Sequence, residues 1–300
     1  MNISVKIGQL TLKTPVITAS GTFGYGEEFS EYFDLSLLGA ITMKGISLEP
    51  REGNPPPRLW ETPCGLLNSI GLQNVGLERF LREKLPFIRR FNVPVIANIL
   101  GNSIDEYIEL TRGLDGEVEA IELNISCPNV KKGGIFFGTD RSAMAELVSV
   151  VKKNLKKSLL ITKLSPQADI KEFSKIAEDS GSDAISLINT IPAMAVDIES
   201  RRPVFKNIIA GLSGPAIKPI ALRMVWEAVS TVKIPVIGIG GIMTAEDALE
   251  FLITGATAIE VGTANFIDPL ASIKIIEGIK DYMQRKKISD IKEIIGSIRK

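Results

Sequence analysis

The stretch Ala120-Ile-Glu-Leu-Asn-Ile-Ser-Cys-Pro-Asn129 begins as an apolar, β-prone run and ends in a polar cluster of Asn124, Ser126, Cys127 and Asn129. Pro128 lacks an N–H and cannot continue a buried central strand, so the strand has to stop there. Chemistry at the end of a buried strand is typical of parallel α/β proteins, in which strands and helices form a rigid floor and the loops above carry the site. A single cysteine in such a place is ordinarily an inert buried thiol. The neighbouring amides and the rest of the chain favour a site.

Working outward, the same pattern recurs. Short apolar runs cover Pro15–Ser20, Ala40–Lys44, Pro94–Asn98, Ala120–Asn124, Leu159–Lys163, Ala184–Asn189, Pro235–Gly240 and Ala258–Gly262. Helix signals fall between them. Ser103 followed by Glu106 reads as a capping box, and Thr244 with Asp247 opens a helix that Gly255 closes. Ala143–Leu155, Asp169–Ser180 and Ile217–Val232 carry apolar residues at three-to-four spacing. Eight strands alternating with helices predict an α/β fold, a (β/α)8 TIM barrel. An open doubly wound sheet is the alternative, because strand order is invisible in a sequence. Residues 3–12, alternating around Gly8, predict an N-terminal hairpin that closes one end. Gly45–Phe91 and Thr190–Ile234 are too long for simple crossovers and follow strand C-terminal ends, so they predict long lid loops over the C-terminal face. No linker or low-complexity tract interrupts the pattern, which predicts one domain over residues 1–300.

Composition narrows the chemistry. The 35 basic and 35 acidic side chains of the 300-residue chain cancel, leaving no net field for nucleic acid or an anionic membrane. Histidine is absent, which excludes a His base, a His-Asp relay and any His-containing metal site, so proton transfer falls to Cys, a carboxylate, Lys or Tyr. The two cysteines, Cys64 and Cys127, are too few for an iron–sulfur cluster, which needs about four thiolates. No apolar run reaches the roughly 18 residues of a membrane span, and the N-terminus lacks a signal-peptide pattern. These features predict a reduced, cytoplasmic protein that handles a small molecule, with no metal site.

The predicted strands end on Ser20, Lys44, Asn98, Asn124, Lys163, Asn189, Gly240 and Gly262. A lysine or amide closing an apolar strand costs desolvation unless it meets a partner, so six polar termini in a ring imply convergence on one polar ligand. The glycine-rich turns at 238–244 and 262–264, after the last two strands, sit where barrels commonly cradle a phosphate on backbone N–H groups. Lys44 and Lys163 suit a carboxylate substrate and a cofactor that gains negative charge on reduction. Asn68, Asn98, Asn124 and Asn189 can donate and accept at once, as recognition of an imide or lactam ring requires. Cys127 is the candidate base, because a thiol with a reference pKa of about 8.5 is within reach of working pH beside a cation or a helix N-terminus. Cys64, in the first long loop, reads as an incidental, partly buried thiol.

Asn124-Ile-Ser-Cys-Pro-Asn-Val-Lys131, Gly133-Gly134 and Phe137-Gly138, with Asn68-Ser-Ile-Gly-Leu72, Lys163-Leu-Ser-Pro166, Gly211-Leu-Ser-Gly-Pro215 and Gly262-Thr-Ala-Asn-Phe266, closely resemble the dihydroorotate dehydrogenase family over nearly the whole chain. Cys127 resembles the soluble class 1 enzymes; the membrane-associated class uses serine there. The continuation Val130-Lys-Lys-Gly-Gly-Ile-Phe-Phe-Gly138 is similar to class 1B, the NAD-linked catalytic subunit, rather than to the fumarate-using class 1A. The resemblance implies FMN-dependent oxidation of (S)-dihydroorotate to orotate in pyrimidine biosynthesis. It also implies a partner subunit carrying FAD and a [2Fe–2S] cluster, in a heterotetramer of two catalytic and two electron-transfer subunits.

By motif, Ser20, Lys44, Gly45, Asn98, Asn124, Lys163, Ile188, Gly214, Gly240, Gly241, Gly262 and Thr263 would contact FMN. Lys44, Asn68, Ser69, Ile70, Gly71, Leu72, Asn124, Asn189 and Thr190 would hold dihydroorotate, with Cys127 as base and Lys163 stabilising the reduced flavin. Gly45 and Cys64 stand where the family would place other small or polar residues, and Gly45 leaves only backbone for its FMN contact. A fumarate-linked enzyme, or one acting on another dihydropyrimidine, is the alternative.

Overall fold

The computed structural model describes residues 1–125 and 138–299. Eight parallel strands close into a barrel: β1 (Val16–Thr18), β2 (Ala40–Thr42), β3 (Val95–Ile99), β4 (Ala120–Asn124), β5 (Leu159–Lys163), β6 (Ala184–Leu187), β7 (Val236–Ile239) and β8 (Ala258–Val261). Each strand pairs with its neighbours in chain order and β8 returns to β1, which excludes the open sheet. The alternation of strands and helices thus produces the barrel that its count predicts.

Helices begin where side chains can satisfy their free N–H groups. Asp140, Asp169 and Thr244 cap the helices Arg141–Asn154, Ile170–Asp179 and Ala245–Thr254, each accepting from the backbone N–H three residues on. Thr244 and Asp247 form the full reciprocal box, and Gly255 ends that helix at φ 120°. The predicted box at Ser103 is only half made. Ser103 accepts from the Glu106 N–H, but the Glu106 carboxylate reaches past it to the Asn102 N–H at 2.8 Å.

The register explains how the barrel is filled. Residues paired across parallel strands share a face, and residues two apart along a strand return to it. Ile17 pairs with Ala40, Ile96 with Ala120, Ile161 with Ala184 and Ile237 with Ala258. Large and small side chains therefore alternate around the interior, as a closing barrel requires. Two residues on, β2, β4, β6 and β8 present Thr42, Glu122, Ser186 and Glu260, all fully buried. Two residues beyond the isoleucines come Ala19, Asn98, Lys163 and Ile239, which meet the space at the C-terminal mouth.

At the other end, Val5–Ile7 pairs antiparallel with Leu10–Leu12 through a turn at Gly8, forming the predicted hairpin. A Cβ on Gly8 would lie 3.3 Å from the side chain of Leu159 at the start of β5, so this hairpin lies at the bottom of the barrel.

The two long intervals are more ordered than loops. Leu59–Thr62 and Gly65–Asn68 from the first join Ile191–Ala193 and Ala210–Ser213 from the second in one four-stranded antiparallel sheet. Gly65 and Gly211 are required there. A Cβ on the first would collide with the Ser213 carbonyl, and one on the second with the Thr190 hydroxyl. Cys64, at the tip of the first hairpin, is exposed rather than partly buried; its carbonyl accepts from the Ala216 N–H at 2.8 Å while its thiol faces solvent. Among the described residues, no helix is long and apolar enough to cross a membrane.

Candidate active site

A cavity of about 570 Å³ opens at the C-terminal mouth of the barrel, between the strand ends below and the antiparallel sheet above. Every sequence-assigned cofactor or substrate residue lines it: Ser20, Lys44 and Gly45; Asn68 through Leu72; Asn98, Asn124 and Lys163; Ile188, Asn189 and Thr190; Gly214, Gly240 and Gly241; Gly262 and Thr263. Cys127, together with the rest of its motif at 126–137, lies outside the described residues.

The floor is held by a buried polar network. Asn98 Nδ2 donates to Glu122 at 2.6 Å, which leaves the Asn98 carbonyl to accept from Asn124 Nδ2 at 3.4 Å. Asn124 is anchored in turn through its backbone carbonyl, which accepts from the Tyr107 hydroxyl at 2.9 Å. Lys163 is almost fully buried, with Nζ 3.3 Å from Glu122 and 3.5 Å from Glu260. Burial alone would push its pKa down, but the two glutamates overcome this and raise it, so the floor carries a fixed cation. Gly45 leaves room for this network, since a Cβ there would approach the Asn98 carboxamide oxygen at 2.9 Å and Leu100 at 2.8 Å.

Lys44 differs. Burial, and then the charge of Arg58, push its pKa down, and no carboxylate pairs with it among the described residues. A desolvated cation without a counter-charge is a receptor for an anion.

One side of the cavity is built from glycine. Gly214, Gly240 and Gly241 have φ of 91°, 125° and 73°, conformations that L side chains rarely adopt. Gly241 packs against the start of the helix Lys218–Val229, where a Cβ would come within 2.7 Å of the Lys218 backbone nitrogen. Lys218 itself is engaged by Asp247 at 2.6 Å and Glu250 at 2.9 Å and does not line the cavity. Nearby, Thr263 Oγ1 donates to Ser213 Oγ at 2.8 Å, tying β8 to the roof.

The roof supplies amides. Asn68 Nδ2 donates to the Gly211 carbonyl at 3.2 Å, and the Thr190 N–H donates to Asn189 Oδ1 at 2.7 Å. Asn54 clamps the Asn68–Leu72 turn: its N–H donates to the Ile70 carbonyl at 3.0 Å and its Nδ2 to Ser69 at 3.1 Å.

Glu122 and Glu260 are absent from the sequence-assigned set. A signal for them exists: the four even-numbered strands read Ala40-Ile-Thr42, Ala120-Ile-Glu122, Ala184-Ile-Ser186 and Ala258-Ile-Glu260. A repeated small-large-polar triplet on alternate strands places four polar side chains in one layer. Gln167, Gln73 and Asn207 also line the cavity without a sequence signal.

A closed barrel with a glycine-built wall, a fixed cation in its floor and a lysine that has no carboxylate partner among the described residues forms a cavity suited to an anionic ligand. The family model described as dihydroorotate dehydrogenase matches residues 2–283, and the chain belongs to that family. It is 56% identical over 301 residues to the dihydroorotate dehydrogenase B (NAD(+)) catalytic subunit of Thermoanaerobacter sp. (strain X514), covering 100% of this chain and 99% of that one. The protein of the same name from Geotalea uraniireducens (strain Rf4) is 55% identical over 300 residues, covering 99% and 98%. Among solved structures, the dihydroorotate dehydrogenase of Eimeria tenella in complex with ferulenol shares the fold, with a TM-score of 0.84 at 22% identity over 99% of this chain and 88% of that one.

Proposed function

We propose that this chain is an FMN-dependent dihydroorotate dehydrogenase of the NAD-linked type, a single barrel domain over residues 1–300 that oxidises (S)-dihydroorotate to orotate. The observation that carries this reading is the convergence of the two motif-assigned sets, for cofactor and for substrate, on one cavity. The residues present fit FMN: left-handed glycines form a wall that a phosphate can approach closely, and a buried ammonium lies in the floor. Ser20, Lys44, Gly45, Asn98, Asn124, Lys163, Ile188, Gly214, Gly240, Gly241, Gly262 and Thr263 would hold it. Bound there, FMN supplies a two-electron hydride acceptor.

The chain's own residues do the remainder. Lys44 would neutralise the substrate carboxylate, which restores a charge that burial and Arg58 disfavour. Asn68, Asn124, Asn189 and Thr190 would bind the ring's N–H and C=O groups, with Ser69, Ile70, Gly71 and Leu72 closing over it and excluding water. Cys127 would take the proton from C5 as hydride leaves C6. Lys163, held by Glu122 and Glu260, would stabilise negative charge developing above it.

Two cysteines cannot ligate an iron–sulfur cluster. Passage of electrons to NAD would therefore use a partner subunit with FAD and [2Fe–2S], in a cytoplasmic heterotetramer of two subunits of each kind.

An anaerobic absorbance spectrum tests the core of this reading. The purified chain should be yellow and should bleach on adding dihydroorotate. Yellow protein that fails to bleach would move the substrate to another dihydropyrimidine, and protein that stays colourless when FMN is supplied would overturn the assignment. Co-purification with a flavin and iron–sulfur subunit, and turnover with NAD rather than fumarate, test the partner.

A further inference from the structure

Two glutamates and one lysine share the sealed interior of the barrel below the cavity floor. Glu122 accepts from Asn98 at 2.6 Å, Ser186 Oγ at 2.7 Å and Lys163 Nζ at 3.3 Å, a donor set suited to a carboxylate. Glu260 is arranged differently. Its Oε1 accepts from Thr42 at 3.2 Å, while its Oε2 lies 3.5 Å from Lys163 Nζ and has no hydrogen-bond donor among the described residues. Both carboxyl groups face the same ammonium, at 3.3 and 3.5 Å from Lys163 Nζ. An ionised carboxylate only accepts, and a buried carboxyl oxygen without a donor is costly, so Glu260 Oε2 is the atom on which a proton would sit.

Charge points the same way. Both glutamates are fully buried and Lys163 nearly so; with both acids ionised the cluster would carry a net negative charge out of contact with water. One proton brings it to zero. The register sets Ile17 of β1 and Ile239 of β7 beside Glu260, and Thr42 of β2 bonds it. The titratable groups acting on it are Glu122 and Lys163. Burial first, and then the charge of Glu122, push the Glu260 carboxyl up to about 8, against the pull of Lys163.

We propose that Glu260 is a positioning residue that carries a proton donated to Glu122, and that this proton keeps the charge of Lys163 directed at the ring bound above it. Lys163 touches the cavity and Glu260 does not, so Glu260 acts through it. Loss of the proton leaves two carboxylates against one ammonium, which cancels the field of Lys163 at the floor and disfavours negative charge there. The effect on the ring rests on the FMN reading above, whereas the proton is a property of the chain alone.

Infrared spectroscopy of the full-length chain near neutral pH tests the proton. A carboxylic C=O stretch, separate from the carboxylate bands, is expected in the parent protein and should be lost in both Glu260→Gln and Glu122→Gln. With one acid removed, the other ionises against Lys163. Absence of the band from the parent, or its persistence in Glu122→Gln, overturns the proposal. The midpoint potential of the bound flavin, followed against pH, tests the consequence. The parent should turn steeper above about pH 8, and Glu260→Gln, neutral at every pH, should lack that turn. Identical profiles would overturn the positioning role. Failure to bind FMN would remove the function and the effect on the ring, leaving the infrared band to decide the proton independently.

Discussion

Beneath the cavity, Thr42, Glu122, Ser186 and Glu260 are polar side chains with no exposed surface; above it, the roof strand Leu59–Thr62 leaves Leu59 and Trp60 43% and 45% exposed. The floor is polar and dry, and the roof is partly apolar and wet. The two are held differently. Floor side chains satisfy one another across strands, so each depends on several partners and on closure of the barrel. The roof is a backbone ladder between segments far apart in the chain, packed on a small apolar cluster of Leu67, Phe205 and Ala210, and its closest contacts leave room only for glycine at positions 65 and 211. The Lys163 charge therefore sits where geometry is most strongly determined.

If that contrast holds, the largest stability loss belongs to the floor. Glu122→Ala strips Asn98, Ser186 and Lys163 of a shared acceptor and should cost about 3–5 kcal/mol in urea denaturation. A loss below about 1 kcal/mol would mean that the network is slack. Next, Lys163→Met should slow flavin reduction by dihydroorotate about 100-fold or more in stopped-flow absorbance, as expected when a charge-stabilising donor is removed. Gly211→Ala, on the roof, pushes against Thr190 and Asn68. It should raise KM for dihydroorotate about tenfold, a cost of about 1.4 kcal/mol of binding, and lower unfolding stability by less than Glu122→Ala does. Equal damage to stability and KM would erase the distinction between roof and floor. Thr244→Ala touches neither region and serves as a reference, with an expected loss of about 1 kcal/mol for one helix cap.

The floor also predicts a pH dependence. The Glu260 carboxyl is raised from 4.5 to about 8, so the folded state holds a proton that the unfolded state has released. Its contribution to stability is fully present below 4.5, falls as pH rises, and is gone above about 8. Denaturation midpoints of the parent should decline across that window relative to Glu260→Gln. A parallel decline in both would assign the dependence to other groups.

How far the sequence could be read differed between these regions for physical reasons. Apolar runs of strand length, helix caps and the polar residues closing each run are local features, and they located all eight barrel strands and the residues around the cavity. Glu122 and Glu260 were not legible individually, because a glutamate inside an apolar strand has the same local signature whether it points to a neighbour or to water; only comparison of alternate strands reveals the layer. The roof has the sequence signature of loops because antiparallel pairing between residues such as Leu67 and Leu212 leaves no trace in either segment alone. The spacing of Ser103 and Glu106 predicts a full capping box, yet Glu106 bonds the Asn102 N–H instead.

The sequence by itself determined eight strands alternating with helices, the N-terminal hairpin and the polar residues at the strand ends, since periodicity and the cost of burying polar groups act within a few residues; closure of the sheet into a barrel came from the tertiary structure. Only the tertiary structure decided that Lys163 is held by two acids, that Lys44 has no carboxylate partner among the described residues, and that two distant excursions form one roof. Those outcomes depend on strand register and barrel closure, which bring together side chains far apart in the chain, such as Thr42 and Glu260, 218 positions apart.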